Sequence, residues 1–197
     1  MNSIQKFFLP PCPVLELPSE MRTSGERPVL HLLRRDLEHL YLKEGRFGAD
    51  AEDAHKAPYL AAMGILTGID LMASFYSTEG RPGVIFKRFL EEVCSVSQAE
   101  AIFTWKFRNA LHHSYSLDLG ILENTVFTTE VNDKPWHTRN GRTHHIVNLW
   151  GLKRFFFFAI EKFKLKLAAD QALIAHFEER YMKSGRIFVL NQEKHPA

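Results

Sequence analysis

Residues 58–76, PYLAAMGILTGIDLMASFY, are the most apolar helical segment of the chain. Apolar side chains would cover nearly every side of a helix built from this segment, which predicts a central, buried helix. Gly64 and Gly68 would let neighbouring helices approach it closely. The segment is long enough to span a membrane, but Asp70 and Thr67 within it favour a helix in a protein core.

Helical periodicity continues on both sides of this segment. Leucines recur on one side of a helix predicted from about Pro28 to Glu44, which Gly45 ends. SQAE, residues 97–100, has the form of a capping box and opens another helix, which we expect to end near Leu111. Three further helices are predicted at residues 82–93, 149–167 and 170–182.

The pattern changes in an insert near residues 121–148. TVFTTEV, residues 125–131, is β-prone, and Asn140-Gly141 is a strong signal for the turn of a β-hairpin. Three residues of this predicted hairpin are suited to stacking on RNA or to binding a partner: Trp136, Arg139 and Arg142.

The hairpin also contains a candidate metal site. A two-residue turn at Asn140-Gly141 would place His137 directly opposite His144, with Cβ atoms about 5 Å apart. Two imidazoles at that distance could share a zinc ion, but no cysteine accompanies them and a third ligand is lacking. Solvated histidines in a β-prone segment are the simpler interpretation, so we predict no metal site.

Together these patterns predict an all-α protein, an antiparallel helical bundle with a β-hairpin insert. Residues 1–28 contain five of the nine prolines and are predicted to form an extended N-terminal arm. The helical domain would cover residues 29–182, including the insert, and residues 183–197 would form a C-terminal tail.

The composition limits the classes of function. The formal net charge is only +2, so RNA binding would need a local basic patch. Cys12 and Cys94 are the only cysteines, which is typical of a reducing compartment, and the N-terminus lacks the apolar run of a signal peptide. We therefore expect a cytoplasmic protein that does not span a membrane.

KFRNALHHSYSL, residues 106–117, places an arginine, an asparagine and two histidines where a helical pattern ends. At about 100° per residue, Arg108 and His112 share one face of a regular helix, whereas His113 lies about 140° from Arg108. Polar side chains after Leu111 compete for backbone hydrogen bonds and favour a helix end there. His113 would then be free to turn back beside Arg108.

An arginine next to a neutral histidine suits phosphoryl chemistry. The guanidinium can bind a phosphate through two hydrogen bonds and stabilise charge on its oxygens. Imidazole, with an unperturbed pKa of about 6.5, can accept or donate a proton near neutral pH. RNA carries its own nucleophile, the 2′-hydroxyl, so neither a metal nor a cofactor is needed. A polar helix end would contain the same residues, and the pattern alone leaves both interpretations open.

Asp70 is a carboxylate inside the most apolar helix. An ionised carboxylate in such a place needs a partner. We select Arg108 as this partner, because a carboxylate that orients the Arg108 guanidinium would explain why a charged residue lies in the most apolar helix. Another basic side chain or a backbone amide would serve equally well.

RNALHH, residues 108–113, resembles the signature of the HEPN superfamily (higher eukaryotes and prokaryotes nucleotide-binding). That signature is an arginine, a polar residue and a histidine after four to six intervening positions in total, which Arg108, Asn109 and His113 match. The apolar helix with an internal aspartate, the IFKRFLEE helix and the motif at the end of the next helix are also similar to HEPN proteins. The resemblance covers about residues 29–115 and the helices after the insert.

The resemblance implies a helical bundle that forms a homodimer and brings two copies of the motif to one groove. Many HEPN proteins are metal-independent ribonucleases of toxin–antitoxin, abortive-infection or CRISPR-associated systems, so RNA would be the substrate. Arg108 would bind and polarise the scissile phosphate, Asn109 would orient it and His113 would be the acid/base, with adjacent His112 as the alternative. Other HEPN proteins are inactive and bind nucleotides or a partner such as a nucleotidyltransferase antitoxin.

Overall fold

Helices and short strands make up the parts of the chain that this computed structural model describes, residues 1–37, 58–77, 79–114, 125–128, 135–138 and 145–188. The helices are α1 (Ser3–Phe7), α2 (Ser19–Ser24), α3 (Val29–Leu37), α4 (Pro58–Tyr76), α5 (Pro82–Glu92), α6 (Gln98–Ser114), α7 (Leu149–Ala169) and α8 (Gln171–Ser184). The strands are β1 (Glu26–Pro28), β2 (Thr125–Thr128), β3 (Trp136–Thr138), β4 (His145–Asn148) and β5 (Arg186–Phe188). The described chain is therefore mostly helical, as the sequence predicts, with two small sheets.

Helix α4 lies at the centre of the fold and packs against α3, α5, α6, α7 and α8. Its bounds are those predicted from the sequence. A Cβ at Gly68 would fall 2.5 Å from a ring atom of Phe156 on α7, and a Cβ at Gly64 would fall 2.6 Å from a methyl of Leu37 on α3. The two glycines therefore allow the close approach that their spacing predicts.

The flanking helices also follow the predicted periodicity. Helices α5, α7 and α8 begin and end within two residues of their predicted bounds. Asp170 caps α8, since its carboxylate accepts a hydrogen bond of 3.0 Å from the amide of Leu173. The helix predicted from Pro28 to Glu44 is α3 as far as Leu37, and residues 38–44 lie outside the described part of the chain.

The prediction of an extended arm over residues 1–28 is wrong. This segment forms α1, a short 3₁₀ turn (Val14–Glu16), α2 and β1. Phe7 is fully buried, and its ring centroid lies 4.7 Å from that of Phe75 and 5.2 Å from that of Phe177. The prolines separate short elements, and burial of the apolar side chains between them outweighs the extended preference of a proline-rich segment.

Strand β1 pairs antiparallel with β5 and joins the N-terminal segment to the chain that follows α8. Glu26 in β1 is buried and accepts hydrogen bonds from Lys6 (2.9 Å) and from the hydroxyl of Tyr181 on α8 (2.9 Å). The tail predicted at residues 183–197 thus begins with the last turn of α8 and a strand, and residues 189–197 lie outside the described part.

The described residues of the insert form three strands in the order β2-β4-β3. Strand β3 pairs antiparallel with β4, as in the predicted hairpin, whereas β2 pairs parallel with β4. A β-hairpin alone is therefore an incomplete description of residues 121–148. The turn predicted at Asn140-Gly141 lies outside the described residues.

The register of β3 on β4 differs from the predicted one. His137 pairs with Ile146, not with His144, so the expected opposition of two histidines is wrong. Val147 is buried and the side chain of Asn148 caps α7 by accepting from an amide, which holds β4 against the helices. Because a buried strand face fixes register strongly, the packing of β4 against the helices accounts for a pairing that differs from the one the sequence predicts.

Candidate functional site

Asp70 of α4 and Arg108 of α6 form an ion pair in the interface between the two helices. Nη2 of Arg108 donates to Oδ2 of Asp70 over 2.7 Å. The arginine side chain is 19% exposed and the aspartate side chain 27%, so the pair is half-buried and still reaches solvent. Arg108 is the partner that we selected for Asp70 from the sequence.

Two further groups fix the orientation of the Arg108 guanidinium. Its Nη1 donates to Oδ1 of Asn109 over 3.1 Å, and its Cζ lies 5.3 Å from the ring centroid of Trp105. Trp105 is held in turn by Phe86, at 5.4 Å between ring centroids, and by Gly83, where a Cβ would fall 2.6 Å from the indole. These contacts hold the guanidinium in one position, and its remaining N–H groups can donate hydrogen bonds to an anion.

Helix α6 begins at the predicted capping box, in which the Ser97 amide donates to the Glu100 carboxylate (3.2 Å) and the Glu100 amide donates to Ser97 Oγ (3.4 Å). The helix runs unbroken to Ser114, so the predicted end near Leu111 is wrong. Beyond Leu111, the ring of His112 contacts Thr67 of α4, and this tertiary contact outweighs the preference of the polar residues for non-helical backbone.

The unbroken helix places His112 one turn after Arg108 on the same face. Nε2 of His112 lies 3.3 Å from Oγ1 of Thr67, a residue one turn before Asp70 on α4. The Thr67 hydroxyl donates its hydrogen to the carbonyl of Met63 over 2.8 Å, so its oxygen accepts from His112.

The structure describes the other predicted site residues only in part. His113 lies on α6, about 140° around the helix from Arg108, and its side chain is outside the described part. The side chain of Trp136, a residue of β3, is outside it as well. Arg139 and Arg142 lie outside the described residues altogether, so the RNA- or partner-binding hairpin stays a prediction.

An open cavity of about 550 Å³ lies beside the ion pair. Helices α4, α5 and α8 contribute its walls, which include Thr67, Asp70, Leu71, Ser74, Ile85 and Arg180. The first two are the residues whose side chains contact the motif on α6. The cavity therefore adjoins the two side chains of α4 that hold the guanidinium and the imidazole.

Sequence reasoning did not select Thr67, Trp105 or Arg180 as site residues. Thr67 and Trp105 each lie one helical turn before a residue that was selected, Asp70 and Arg108. A search of neighbouring positions on the same helix face would have found them. Arg180 belongs to a helix remote in sequence, and no local pattern connects it to the motif.

No further assignment of function comes from metal-binding groups or membrane-spanning helices among the described residues, or from similarity to known proteins. Within the described ranges, no group of three or more His, Cys, Asp or Glu side chains is arranged to hold a metal ion. None of the described helices is both long and apolar enough to cross a membrane. The chain matches no family model, no curated protein and no solved structure.

Proposed function

We propose that this protein is a metal-independent RNA endonuclease of the HEPN type. The observation that supports this function is the placement of Arg108 and His112 on one face of α6, each held by a side chain of α4 at the edge of a cavity. A fixed guanidinium and an imidazole one turn apart supply an anion-binding group and a proton-transfer group. The RNALHH resemblance, through Arg108, Asn109 and His113, selects the same segment.

In the proposed reaction the ribose 2′-oxygen attacks the adjacent phosphorus. One imidazole accepts the proton of the 2′-hydroxyl, the P–O5′ bond breaks, and a protonated imidazole donates a proton to the leaving 5′-oxygen. Arg108 stabilises the charge that grows on the non-bridging phosphate oxygens. The products are a 2′,3′-cyclic phosphate and a 5′-hydroxyl.

The attacking 2′-oxygen and the leaving 5′-oxygen lie on opposite sides of the phosphorus, which favours a separate base and acid. A homodimer with both motifs at one groove would supply an imidazole for each. Phe158 is 42% exposed and Leu165 is 65% exposed. They lie two turns apart on one face of α7 and leave apolar surface for such an interface. The HEPN resemblance implies the same kind of assembly.

One observation supports a second function. Asp70 already neutralises the charge of Arg108, and the guanidinium is only 19% exposed, as in an ion pair that stabilises a fold. An inactive HEPN module that binds a nucleotide, or a partner such as a nucleotidyltransferase antitoxin, would keep this arrangement without cleaving RNA.

Incubation of the purified protein with single-stranded RNA in EDTA separates the two functions. We expect cleavage that leaves 2′,3′-cyclic phosphate ends, that is lost in Arg108→Ala and that persists in Lys106→Ala. Lys106 is an exposed cation on the same helix, so its variant controls for the loss of charge alone. Intact RNA after incubation with the wild type would contradict the nuclease and favour the binding module.

A further inference from the structure

We propose that the cavity beside the Asp70–Arg108 pair binds the nucleotide next to the scissile phosphate, and that Arg180 contacts the phosphate of that nucleotide. This inference rests on the proposed RNA cleavage. It assigns substrate binding to α8, a helix that the RNALHH motif does not include.

The cavity is continuous with the residues that hold the motif. Thr67 and Asp70 line it, and their side chains bond to His112 and Arg108. An RNA strand with its scissile phosphate at Arg108 would therefore extend directly into the cavity. The volume of about 550 Å³ lies within the range of about 300–1,000 Å³ that is usual for small-molecule sites.

The cavity wall suits a base and a ribose. Leu71 on α4 and Ile85 on α5 are half-buried and provide apolar surface against which a base can pack. The hydroxyl of Ser74 donates its hydrogen to the carbonyl of Leu71 over 2.7 Å, so its oxygen remains free to accept from a ribose hydroxyl or a base amine.

Arg180 supplies the positive charge. Within the described part of the chain its guanidinium has no ion pair, and its Nε–H is buried without a hydrogen-bond partner. Asp70 is the only carboxylate among the described lining residues, and Arg108 already balances it. An uncompensated guanidinium in a cavity with apolar walls favours a phosphate over a cation or a neutral ligand.

A neighbouring cavity of about 490 Å³ has the opposite character. Glu79, Glu92 and Asp170 line it, and Arg88 is the only arginine among its described lining residues. Three carboxylates against one guanidinium repel a phosphate. The charge of the two cavities therefore directs an RNA strand towards Arg180.

Binding of an uncleavable RNA tests this site directly. The probe is a fluorescent oligoribonucleotide with 2′-O-methyl groups at every position, which blocks attack by the 2′-oxygen, and its Kd is measured by anisotropy. We expect Arg180→Gln to raise Kd about tenfold and to reduce the slope of log K against log salt by about 1, as loss of one phosphate contact does. Lys183→Gln removes an exposed charge from the same helix and is expected to change Kd by less than about twofold.

A second pair of variants tests the apolar wall without changing charge. Ile85→Ser is expected to raise Kd about threefold or more, whereas Val84→Ser, at a neighbouring position with 44% exposure, leaves it unchanged. Circular dichroism confirms that each variant is folded.

The outcomes distinguish this inference from the proposed nuclease. Equal binding by Arg180→Gln and Lys183→Gln, or by the Ile85 and Val84 variants, overturns the nucleotide site even if the wild type cleaves RNA. Weaker binding by Arg180→Gln and Ile85→Ser, in a protein that leaves RNA intact, supports the nucleotide site and contradicts only the nuclease.

Discussion

Arg108 and Asp70 are joined across the interface of α6 and α4 by a hydrogen bond of 2.7 Å, and the contact between His112 and Thr67 repeats this pairing one turn along α6. Because Thr67 precedes Asp70 whereas His112 follows Arg108, the two helices run antiparallel here. Helix α4 thus positions the guanidinium and the imidazole together. The carboxylate of Asp70 is half-buried in the most apolar helix, where it needs such a partner.

Asp70→Asn is expected to reduce RNA cleavage about tenfold or more and the free energy of unfolding by about 1–2 kcal/mol. The ion pair is half-buried. The stability lost with it should therefore lie between about 0–1 kcal/mol, the value for a surface pair, and about 3–5 kcal/mol, the value for a buried pair. Urea denaturation and initial cleavage rates measure the two effects. The control is Asp36→Asn, at an exposed aspartate that pairs with Arg35. A variant as active and stable as the wild type would show that Arg108 does not depend on Asp70.

The two adjacent histidines are expected to differ in importance. His112 shares the face of Arg108 in an unbroken helix and is oriented by Thr67, so we assign it the acid/base role. His112→Ala should lower the cleavage rate at least about a hundredfold, and His113→Ala much less, with both variants folded. Single-turnover rates on the same RNA give the comparison. The reverse order of severity would return the role to His113, which the motif spacing selects.

The parts of the fold that were predicted correctly depend on local patterns. Apolar periodicity marks α4 and its flanking helices because each helix must bury one or more faces. That Asp70 needs a partner followed from its place in an apolar helix, whereas Arg108 was chosen among several possible partners because orienting this guanidinium would give the charge a role.

The errors occur where contacts remote in sequence decide the structure. The predicted helix end at Leu111 followed the polarity of the next residues, but the contact of His112 with Thr67 of α4 favours helical backbone beyond Leu111. The prolines of residues 1–28 suggested an extended arm, but the ring of Phe7 packs against those of Phe75 and Phe177, which are remote in sequence. Arg180 reaches the cavity through the packing of α8 on α4, which no spacing within the motif could indicate.

Gly68→Ala is expected to destabilise the protein by about 1–3 kcal/mol through overpacking, despite the better helix propensity of alanine. The new methyl would meet the rigid ring of Phe156 at 2.5 Å and Leu33 at 3.1 Å. Gly64→Ala is the matched control, because the methyl there meets the flexible end of Leu37. Urea denaturation should give Gly64→Ala the smaller loss. Equal losses would show that the ring of Phe156 moves as easily as a leucine methyl.

The chain is expected to form a homodimer that buries at least about 1,200 Å² in total, the lower end for specific interfaces. Light scattering at tens of micromolar measures the mass. Phe158→Asp should shift the protein towards the monomer, since it places a charge on the exposed apolar face of α7. Leu15→Asp, at a position with 82% exposure in the N-terminal segment, is the control. A wild-type monomer would contradict the dimer, and an unaffected Phe158→Asp dimer would place its interface elsewhere.

The stability of the fold is expected to fall in acid through Glu26. Burial raises the pKa of this carboxyl, but hydrogen bonds from Lys6 and Tyr181 outweigh burial and hold the pKa below its ordinary value of 4.5. A carboxyl whose pKa is lower in the folded state stabilises the protein above its unfolded pKa. That contribution is lost as the pH falls through the folded pKa.

Glu26→Gln should therefore lower the free energy of unfolding near pH 7 by about 1–3 kcal/mol. This is less than the loss for a fully buried pair, because Lys6 and Arg186 remain about one-fifth exposed. The difference from the wild type should begin to shrink near pH 4.5, where Glu26 of the unfolded chain becomes protonated. It should shrink further as the pH falls through the lower pKa of the folded carboxyl. Urea denaturation from pH 7 to pH 3 measures it, with Glu91→Gln at an exposed position of α5 as the control. A difference that stays constant over this range would show that Glu26 acts through packing and not through its charge.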